Sequence, residues 1–534
     1  MIFTFSSFML WENWQKYNQP KPTADAVATS PAGSAAPTPS ASLQANAPVA
    51  PAVSAPVSTA ETFTVTTDLI KTTISAQGGD LVELDLLKYK AHEDKEKTFQ
   101  LLEAKHQYAA QSGLIGEGLP SHRSIFKRVD GATTLADGAN ELKVRLESAA
   151  TNGIGIAKIL TFKRGSYQID VAWEITNGSD KAIAPHAYFQ LQRDDVAPAG
   201  ETAMVSTFTG PAVYTDAEKY QKVDFSNIAD NKAKFAKTAD NGWLAMVQHY
   251  FVAAWVPAEK TQREYYMRKI EGSNVFQTGV IVPVAEIAPG AKGVASVSLY
   301  AGPQEQSALK EVAAGLDLVV DYGWLTVVAA PIFWALEAIH KLVGNWGWAI
   351  VILTIIIKAI FFPLSAASYK SMAKMKVLTP RLTQLKERFG DDKQRLNQEM
   401  MKMYQTEKVN PLGGCLPILV QIPVFISLYW VLLGAVEMRD APWVLWIHDL
   451  ASPDPYYILP VIMMVSMFVQ TKLNPTPPDP IQAKVMMAMP IVFTFMFLWF
   501  PSGLVLYWVV NNVLSVAQQW QITRMIEGGR KKAN

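Results

Sequence analysis

The sequence predicts a polytopic α-helical membrane domain preceded by a large all-β sandwich domain. The membrane domain reads as a five-helix core with a cytoplasmic helical hairpin. Three observations lead there. Hydrophobicity is uneven: residues 62–310 carry many charges, while 320–523 are rich in Trp, Phe, Met, Ile and Leu, with charge confined to a few blocks. The first region has short β-branched runs broken by turn signals. The second has five apolar runs, about 345–366, 414–436, 456–471, 485–500 and 503–523.

At 534 residues the chain exceeds one ordinary core, and a formal net charge of +1 points to no polyanionic partner and to no specific nucleic acid. "MIFTFSSFMLW" opens the chain and is apolar, but it is shorter than the ~20 residues of a spanning helix and lacks a basic start. Residues 1–17 are therefore expected to be an incomplete N-terminal membrane anchor. Residues 18–61, mostly Pro, Ala, Ser and Thr, are expected to be a disordered tether.

The segment 62–318 is expected to fold as the sandwich. "FTVTTDLIKTTISAQGGDLVELDLLKY" has a Gly-Gly turn between β-branched runs, and "YQIDVAWEITNGSD" ends on an Asn-Gly turn. The histidines (His92, His106, His122, His186, His249, His340 and His448) show no metal-ligand spacing, and "HEDKE" lacks a second His. The single cysteine, Cys415, excludes a disulfide framework within the chain. No cofactor or metal is called for.

Orientation follows from the basic residues. Stretch 367–412 holds ten Lys and Arg against five acids, and the tail 525–534 adds Arg530, Lys531 and Lys532. The loop 437–455 holds Arg439 against Glu437, Asp440, Asp449 and Asp454. The positive-inside rule puts the basic stretch and tail in the cytoplasm, with the sandwich and an exposed loop 437–455 outside. Residues 319–343 include "GWLTVVAAPIFWALEAIHKL". A span there would bring the sandwich to the cytoplasmic side, so the segment is read as an interfacial amphipathic helix anchored by Trp324 and Trp334. The membrane domain proper is 344–524. Within it, 367–412 is an antiparallel helical hairpin, with "FGDD" ending one helix and capping the next, and "NPLGG" closing it. A Pro-rich turn, "NPTPPDP", follows at 474–480.

"VILTIIIKAIFFPL" carries one charge, Lys358, more than two turns from the basic hairpin. A lysine at bilayer depth costs about 2.5–3.5 kcal/mol on insertion scales. None of the five runs holds Asp or Glu, so the lysine is expected to meet water or lose its proton. On the last run Tyr507, Trp508, Asn511, Asn512, Ser515, Gln518 and Gln519 share one helical face, opposite Val509, Val510, Val513, Leu514 and Ala517. With Gln421 and Ser427 they suggest a wet cavity open to the cytoplasm. An interhelical hydrogen-bond seam, or snorkelling of the lysine, is the plainer reading.

"SMAKMKVLTPRLTQLKERFGDDKQRLNQEMMKMYQTEKVNPLGGCLPILVQIPVFISLYW", "PWVLWIHDLASPDPYYILP" and "LWFPSGLVLYWVVNN" resemble the bacterial YidC insertases of the YidC/Oxa/Alb family. The resemblance is strong over about 320–524 and looser over 62–318, which would be the family's large periplasmic β-sandwich, similar to sugar-mutarotase folds without their activity. It implies a non-enzymatic insertase and chaperone of the bacterial inner membrane. Its hydrophilic groove would open to the cytoplasm and be lined by Lys358, Gln421, Ser427, Tyr507, Trp508, Asn511, Asn512, Ser515 and Gln518. The family commonly has Arg where this chain has Lys358, and Tyr where it has Trp508. Implied partners are nascent membrane proteins, the Sec translocon, the ribosome or signal recognition particle pathway, and membrane lipids. A secondary transporter using Lys358 as counter-ion would need inverted repeats, and none is found. A membrane-tethered binding protein would place its activity in 62–303. "FPSG" is not a GxSG protease motif.

Overall fold

Alternation of apolar and polar residues builds the first half of the chain. In strand Gln168–Asn177 the residues Ile169, Val171, Trp173 and Ile175 are fully buried, and their neighbours face outward. In the computed structural model, described for residues 37, 61–91, 94–198, 207–390, 392–407, 416–473 and 480–531, such strands form two nine-stranded antiparallel sheets. The expected anchor 1–17, nearly all of the tether 18–61, His92, Cys415, "NPLGG", most of "NPTPPDP" and residues 532–534 lie outside the described residues.

The first sheet runs Thr62–Thr66, Ile70–Ser75, Leu81–Lys90, Ala109–Ile115, His186–Asp194, Val275–Pro283, Arg263–Lys269, Thr238–Ala239, with Thr98–Leu102 also paired to Leu81–Lys90. The second runs Lys219–Lys222, Gly210–Thr215, Trp243–Gln248, Phe251–Pro257, Lys292–Pro303, Gln168–Asn177, Ile154–Lys163, Glu141–Glu147, Lys127–Arg128. Phe189 of the first sheet packs on Trp255 of the second, ring centres 5.1 Å apart, and both are buried. The sheets therefore face each other as a sandwich. The Gly-Gly signal forms the turn between Ile70–Ser75 and Leu81–Lys90, with Gly78 and Gly79 at φ +73° and +61°.

The chain divides into two units between Val319 and Val320. The second is helical: α1 (Thr326–Val343), α2 (Trp346–Ile360), α3 (Phe362–Phe389), α4 (Lys393–Thr406), α5 (Leu416–Gly434), α6 (Ile458–Leu473), α7 (Pro480–Phe497) and α8 (Ser502–Lys531). Gly344 ends α1 in the left-handed region at φ +67°, its N–H bonded to His340 O at 2.7 Å. Asn345 then caps α2, its side chain accepting from the Trp348 N–H at 3.0 Å. The hairpin pairs α3 with α4. Asp392 caps α4 by accepting from the Arg395 N–H at 3.0 Å, and Arg381 bonds Glu407 at 2.6 Å.

Two expectations are corrected. The run 345–366 is not one continuous helix: it breaks at Phe361, and α2 meets the start of α3 at 65°. Pro363 sits in the first turn of α3 and has no N–H to offer the Ala359 carbonyl, so the α2 ladder cannot pass through it. The loop 437–455, expected to be exposed, is folded into the unit: Ile447, Leu450 and Asp454 are each at most 2% exposed. Asp454 accepts from Trp446 Nε1 at 3.0 Å, the Tyr456 N–H at 3.0 Å and the Leu459 N–H at 2.7 Å. The loop also reaches α8, where the Ser502 and Gly503 N–H groups donate to the carbonyls of Ser452 and Leu450 at 2.8 and 2.9 Å. Free donors at the α8 N-terminus are thereby paired away from water.

Candidate functional site: a polar seam around Lys358

Helix α8 is patterned inside out. Tyr507, Asn512, Ser515 and Gln519 are buried, while Val513, Ala517 and Trp520 are exposed. The neighbouring helices expose Ile355, Ile360, Val461, Val465, Ile491 and Phe495. Polar groups turned inward and branched apolar groups turned outward suit a hydrocarbon solvent rather than water. The segment Gly323–Val343 is long and apolar enough to cross a membrane, and the bent pair of α2 with Phe362–Met372 passes the same test together. Val420–Gly434, Ile458–Leu473 and Ala483–Phe497 are shorter apolar helices.

Lys358, on the last turn of α2, is 7% exposed. Its Nζ donates to Ser515 Oγ on α8 at 2.8 Å, and Ser515 Oγ in turn donates to the Asn511 carbonyl at 2.7 Å. Gln518 Nε2 faces the Lys358 carbonyl at 3.5 Å, and Tyr369 on α3 reaches the same Ser515. The sequence leads one to expect a lysine that meets water or loses its proton. It is instead covered, and a hydroxyl stands where an acid is absent. That neutral oxygen can accept a hydrogen bond but carries no formal charge to offset an ammonium.

One turn further from the hairpin, Gln421 on α5 bonds the Asn511 side-chain oxygen, and the Tyr507 hydroxyl lies within reach of Gln421. Lys358, Ser515, Gln518, Asn511 and Gln421 thus form one seam along α8, and the buried Tyr507 hydroxyl lies beside it without a hydrogen-bond partner among the described residues. Asn512 is not part of it: its amide donates to Ser466 Oγ on α6 at 3.1 Å. Trp508 belongs to an aromatic cluster, with ring centres 4.6 Å from Phe425, 5.3 Å from Phe497 and 6.3 Å from Phe493. Ser427 is fully buried on α5, and its Oγ has no hydrogen-bond partner among the described residues. Sequence reading missed Tyr369 and Ser466. Ser466 is a single polar residue in an apolar run and Tyr369 stands among other polar residues, and in either case helical period says nothing about a partner on another helix. No group of His, Cys, Asp and Glu fit to hold a metal occurs among the described residues.

Comparison with known proteins shows the family. The model of the YidC periplasmic domain matches residues 62–335, and that of the 60Kd inner membrane protein matches 338–531. The membrane protein insertase YidC of Dechloromonas aromatica (strain RCB) is 83% identical over 535 residues, covering 100% of this chain and 98% of that protein. Its counterpart in Aromatoleum aromaticum is 60% identical over 539 residues with the same coverage. A crystal structure described as an active YidC insertase with its first transmembrane domain resolved aligns over 86% of this chain and 92% of that one, at 20% identity and a TM-score of 0.41. Since family models match both halves and full-length relatives are this similar, the chain belongs to the YidC family of inner membrane proteins.

Proposed function

We propose that this protein is a membrane protein insertase and chaperone of the bacterial inner membrane, and that the seam along α8 is its substrate groove. The observation that carries the reading is the bond of buried Lys358 to Ser515 on a helix whose apolar side faces outward. Relatives named as membrane protein insertases support it. In this reading α2, the first turn of α3 (362–366) and α5 to α8 are embedded, and the loop 437–455 closes the outer end. The sandwich 62–318 lies in the periplasm, and the hairpin 367–412 and tail 525–534 lie in the cytoplasm. Residues 1–17 and 18–61 serve as anchor and tether, and 319–343 lies at the outer interface.

The physical task is to move a hydrophilic tail part-way through hydrocarbon. Each unpaired peptide group there costs several kcal/mol. Asn511, Gln518 and Gln421 offer amides that both donate and accept, and so replace water for such a tail. Lys358 draws acidic tail residues inward. The following apolar helix then leaves sideways into lipid, where each central Leu, Ile, Phe or Val contributes about 0.3–0.6 kcal/mol. No covalent bond is made or broken. The Sec translocon and the ribosome or signal recognition particle pathway are the partners proposed for delivery.

A photo-crosslinking residue at Asn511, tested during synthesis of a short two-span membrane protein, should capture the nascent chain, and one at exposed Val513 should capture lipid. Capture at 513 but none at 511 would reject the groove.

A further inference from the structure

Gly347 lies in the first turn of α2 and Lys358 in its last, and both are buried. Eleven residues are about three helical turns, so the two share one side of α2, roughly 16 Å apart. A Cβ at Gly347 would collide with Cδ1, Cγ and Cβ of Trp443, in the loop 437–455. Because Trp443 Cβ is among these atoms, turning the ring alone would not clear the space. Glycine is what lets the indole lie against the α2 backbone. Two more contacts hold the same place. Asn345 Nδ2 donates to the Pro442 carbonyl at 2.9 Å, and Trp348 meets the Trp443 ring edge-on, ring centres 5.8 Å apart.

The loop carries this seat across to α8. It is closed on itself: the Trp443 N–H donates to the Ile447 carbonyl at 3.0 Å, and the Leu450 N–H to the Ala441 carbonyl at 3.0 Å. Asp449 accepts from the Asp440 and Ala451 N–H groups at 3.1 and 2.9 Å and from Ser452 Oγ at 2.6 Å. The carbonyls of Leu450 and Ser452 then receive the first N–H groups of α8, and Ser452 also receives Ser502 Oγ at 2.6 Å. A Cβ at Gly503 would stand 3.2 Å from the Leu450 carbonyl oxygen and 3.4 Å from Ile350 Cδ1, so α2, the loop and α8 meet at one point. From Gly503 to Ser515 is twelve residues, roughly 18 Å along α8. The two helices therefore run in step from their shared contact at Gly503 to the bond between Lys358 and Ser515.

We propose that Trp443 seated on Gly347 is a positioning contact, which sets the tilt and axial rotation of α2 and so places the Lys358 ammonium against Ser515. This role rests on the reading of Lys358 as the charge of the groove. The lever is long. A tilt of about 5° at Gly347 displaces the far end of that length by roughly 1.4 Å. A displacement of that size breaks the 2.8 Å bond to Ser515. Helix α3 does not hold that end in line, because the helix breaks at Phe361 and turns by 65°.

The test has one readout of geometry and one of function. In nanodiscs, on a Cys415→Ser background, nitroxides at the exposed positions Ile360→Cys and Ala517→Cys report the spacing of α2 and α8 beside the lysine. Wild type should give one narrow distance. Gly347→Ala and Trp443→Leu should shift it by about 1–2 Å or broaden it. In vesicles, both variants should lower insertion of acidic-tailed substrates by about threefold or more relative to neutral-tailed ones. A merely structural loss would lower both alike. Trp443→Leu adds no atom to α2, so it carries the test if Gly347→Ala does not fold. An unchanged distance in a folded variant, or equal losses for acidic and neutral tails, overturns the proposal. If Lys358→Ala itself treats both tails alike, the reading of the groove falls, and the distance alone decides whether Trp443 positions Lys358.

Discussion

Lys358 donates to Ser515 across 2.8 Å, and this is the hydrogen bond of its ammonium among the described residues. A buried cation held by a hydroxyl is an asymmetric arrangement. Removing the cation relieves desolvation, whereas removing the hydroxyl strands the charge. Ser515→Ala should therefore destabilise the helical unit by about 1–3 kcal/mol, and Lys358→Ala should cost less despite deleting the larger side chain. Insertion should order the other way. Lys358→Arg should insert acidic-tailed substrates near wild-type level, while Lys358→Ala and Lys358→Glu should fail most on those substrates and less on neutral-tailed ones. Thermal unfolding in detergent and protease protection of a tail-charge series measure both halves. Wild-type insertion of acidic tails by Lys358→Ala would remove charge from the mechanism.

Asp454 ties the loop 437–455 to the start of α6 with three donors, Trp446 Nε1, Tyr456 N–H and Leu459 N–H, and is 1% exposed. Its loss leaves one buried donor, the Leu459 N–H, and two partly buried ones unpaired. Asp454→Ala should cost about 2–4 kcal/mol, and Asp454→Asn, which keeps one carbonyl acceptor, should cost less. The melting temperature of the purified protein checks this. A melting temperature for Asp454→Ala within a degree of wild type would mean the loop is not clamped by this residue.

The sandwich was legible because strand period needs only local residues: Ile169, Val171, Trp173 and Ile175 alternate without reference to any partner. The apolar helices were legible for the same reason. The break at Phe361 was not, although Pro363 was in plain view, because an apolar run conceals where its hydrogen-bond ladder fails. The polar stripe on α8 marks a face but not its neighbours. Ser515 turns to α2, Asn511 to α5 and Asn512 to α6, and only the tertiary packing decides which. The polar pairs of the first sheet were hidden because their residues, from Gln111 to Gln277, lie up to 166 apart in sequence, and register alone brings Gln111 beside Gln190 and Gln277 beside Arg268.

Asp80 and Lys158 form an ion pair of 3.5 Å inside the β unit, both nearly inaccessible, and Lys158 also donates to the Gly78 carbonyl at 2.9 Å. Burial raises Asp80 to about 7 against the attraction of Lys158, and burial lowers Lys158 to about 8. The raised Asp80 takes up its proton more readily folded than unfolded. Its contribution is fully present below the unfolded value of 3.8 and is lost as pH rises through about 7. The lowered Lys158 works oppositely, with a contribution present above 10.5 and lost as pH falls through about 8. Relative to Asp80→Asn, the wild type should therefore lose stability from pH 4 to pH 7, as read by hydrogen exchange of strand Leu81–Lys90 corrected for intrinsic rates. A flat difference would contradict the assignment. Asp80→Ala alone should cost about 3–5 kcal/mol by stranding the ammonium, and adding Lys158→Met should recover most of it.

The hairpin of α3 and α4 has little to hold it rigid. Leu378 and Leu382 are its buried apolar residues among those described, and Arg381 with Glu407 is an exposed pair, worth about 0–1 kcal/mol. The segment of α3 that does pack, with Ser365 and Ser368 buried and Tyr369 reaching Ser515, precedes residue 376. A cut behind Tyr369 therefore spares the seam. Deleting 376–404 should leave the helical unit folded, with a melting temperature within a few degrees of wild type. It should still lower insertion several-fold, because the basic arm proposed to gather substrates is gone. Reconstituted vesicles challenged with the same short membrane protein give the reading. Full insertion by the folded deletion variant would show that substrates reach the seam unaided, and would confine the hairpin to a role outside insertion.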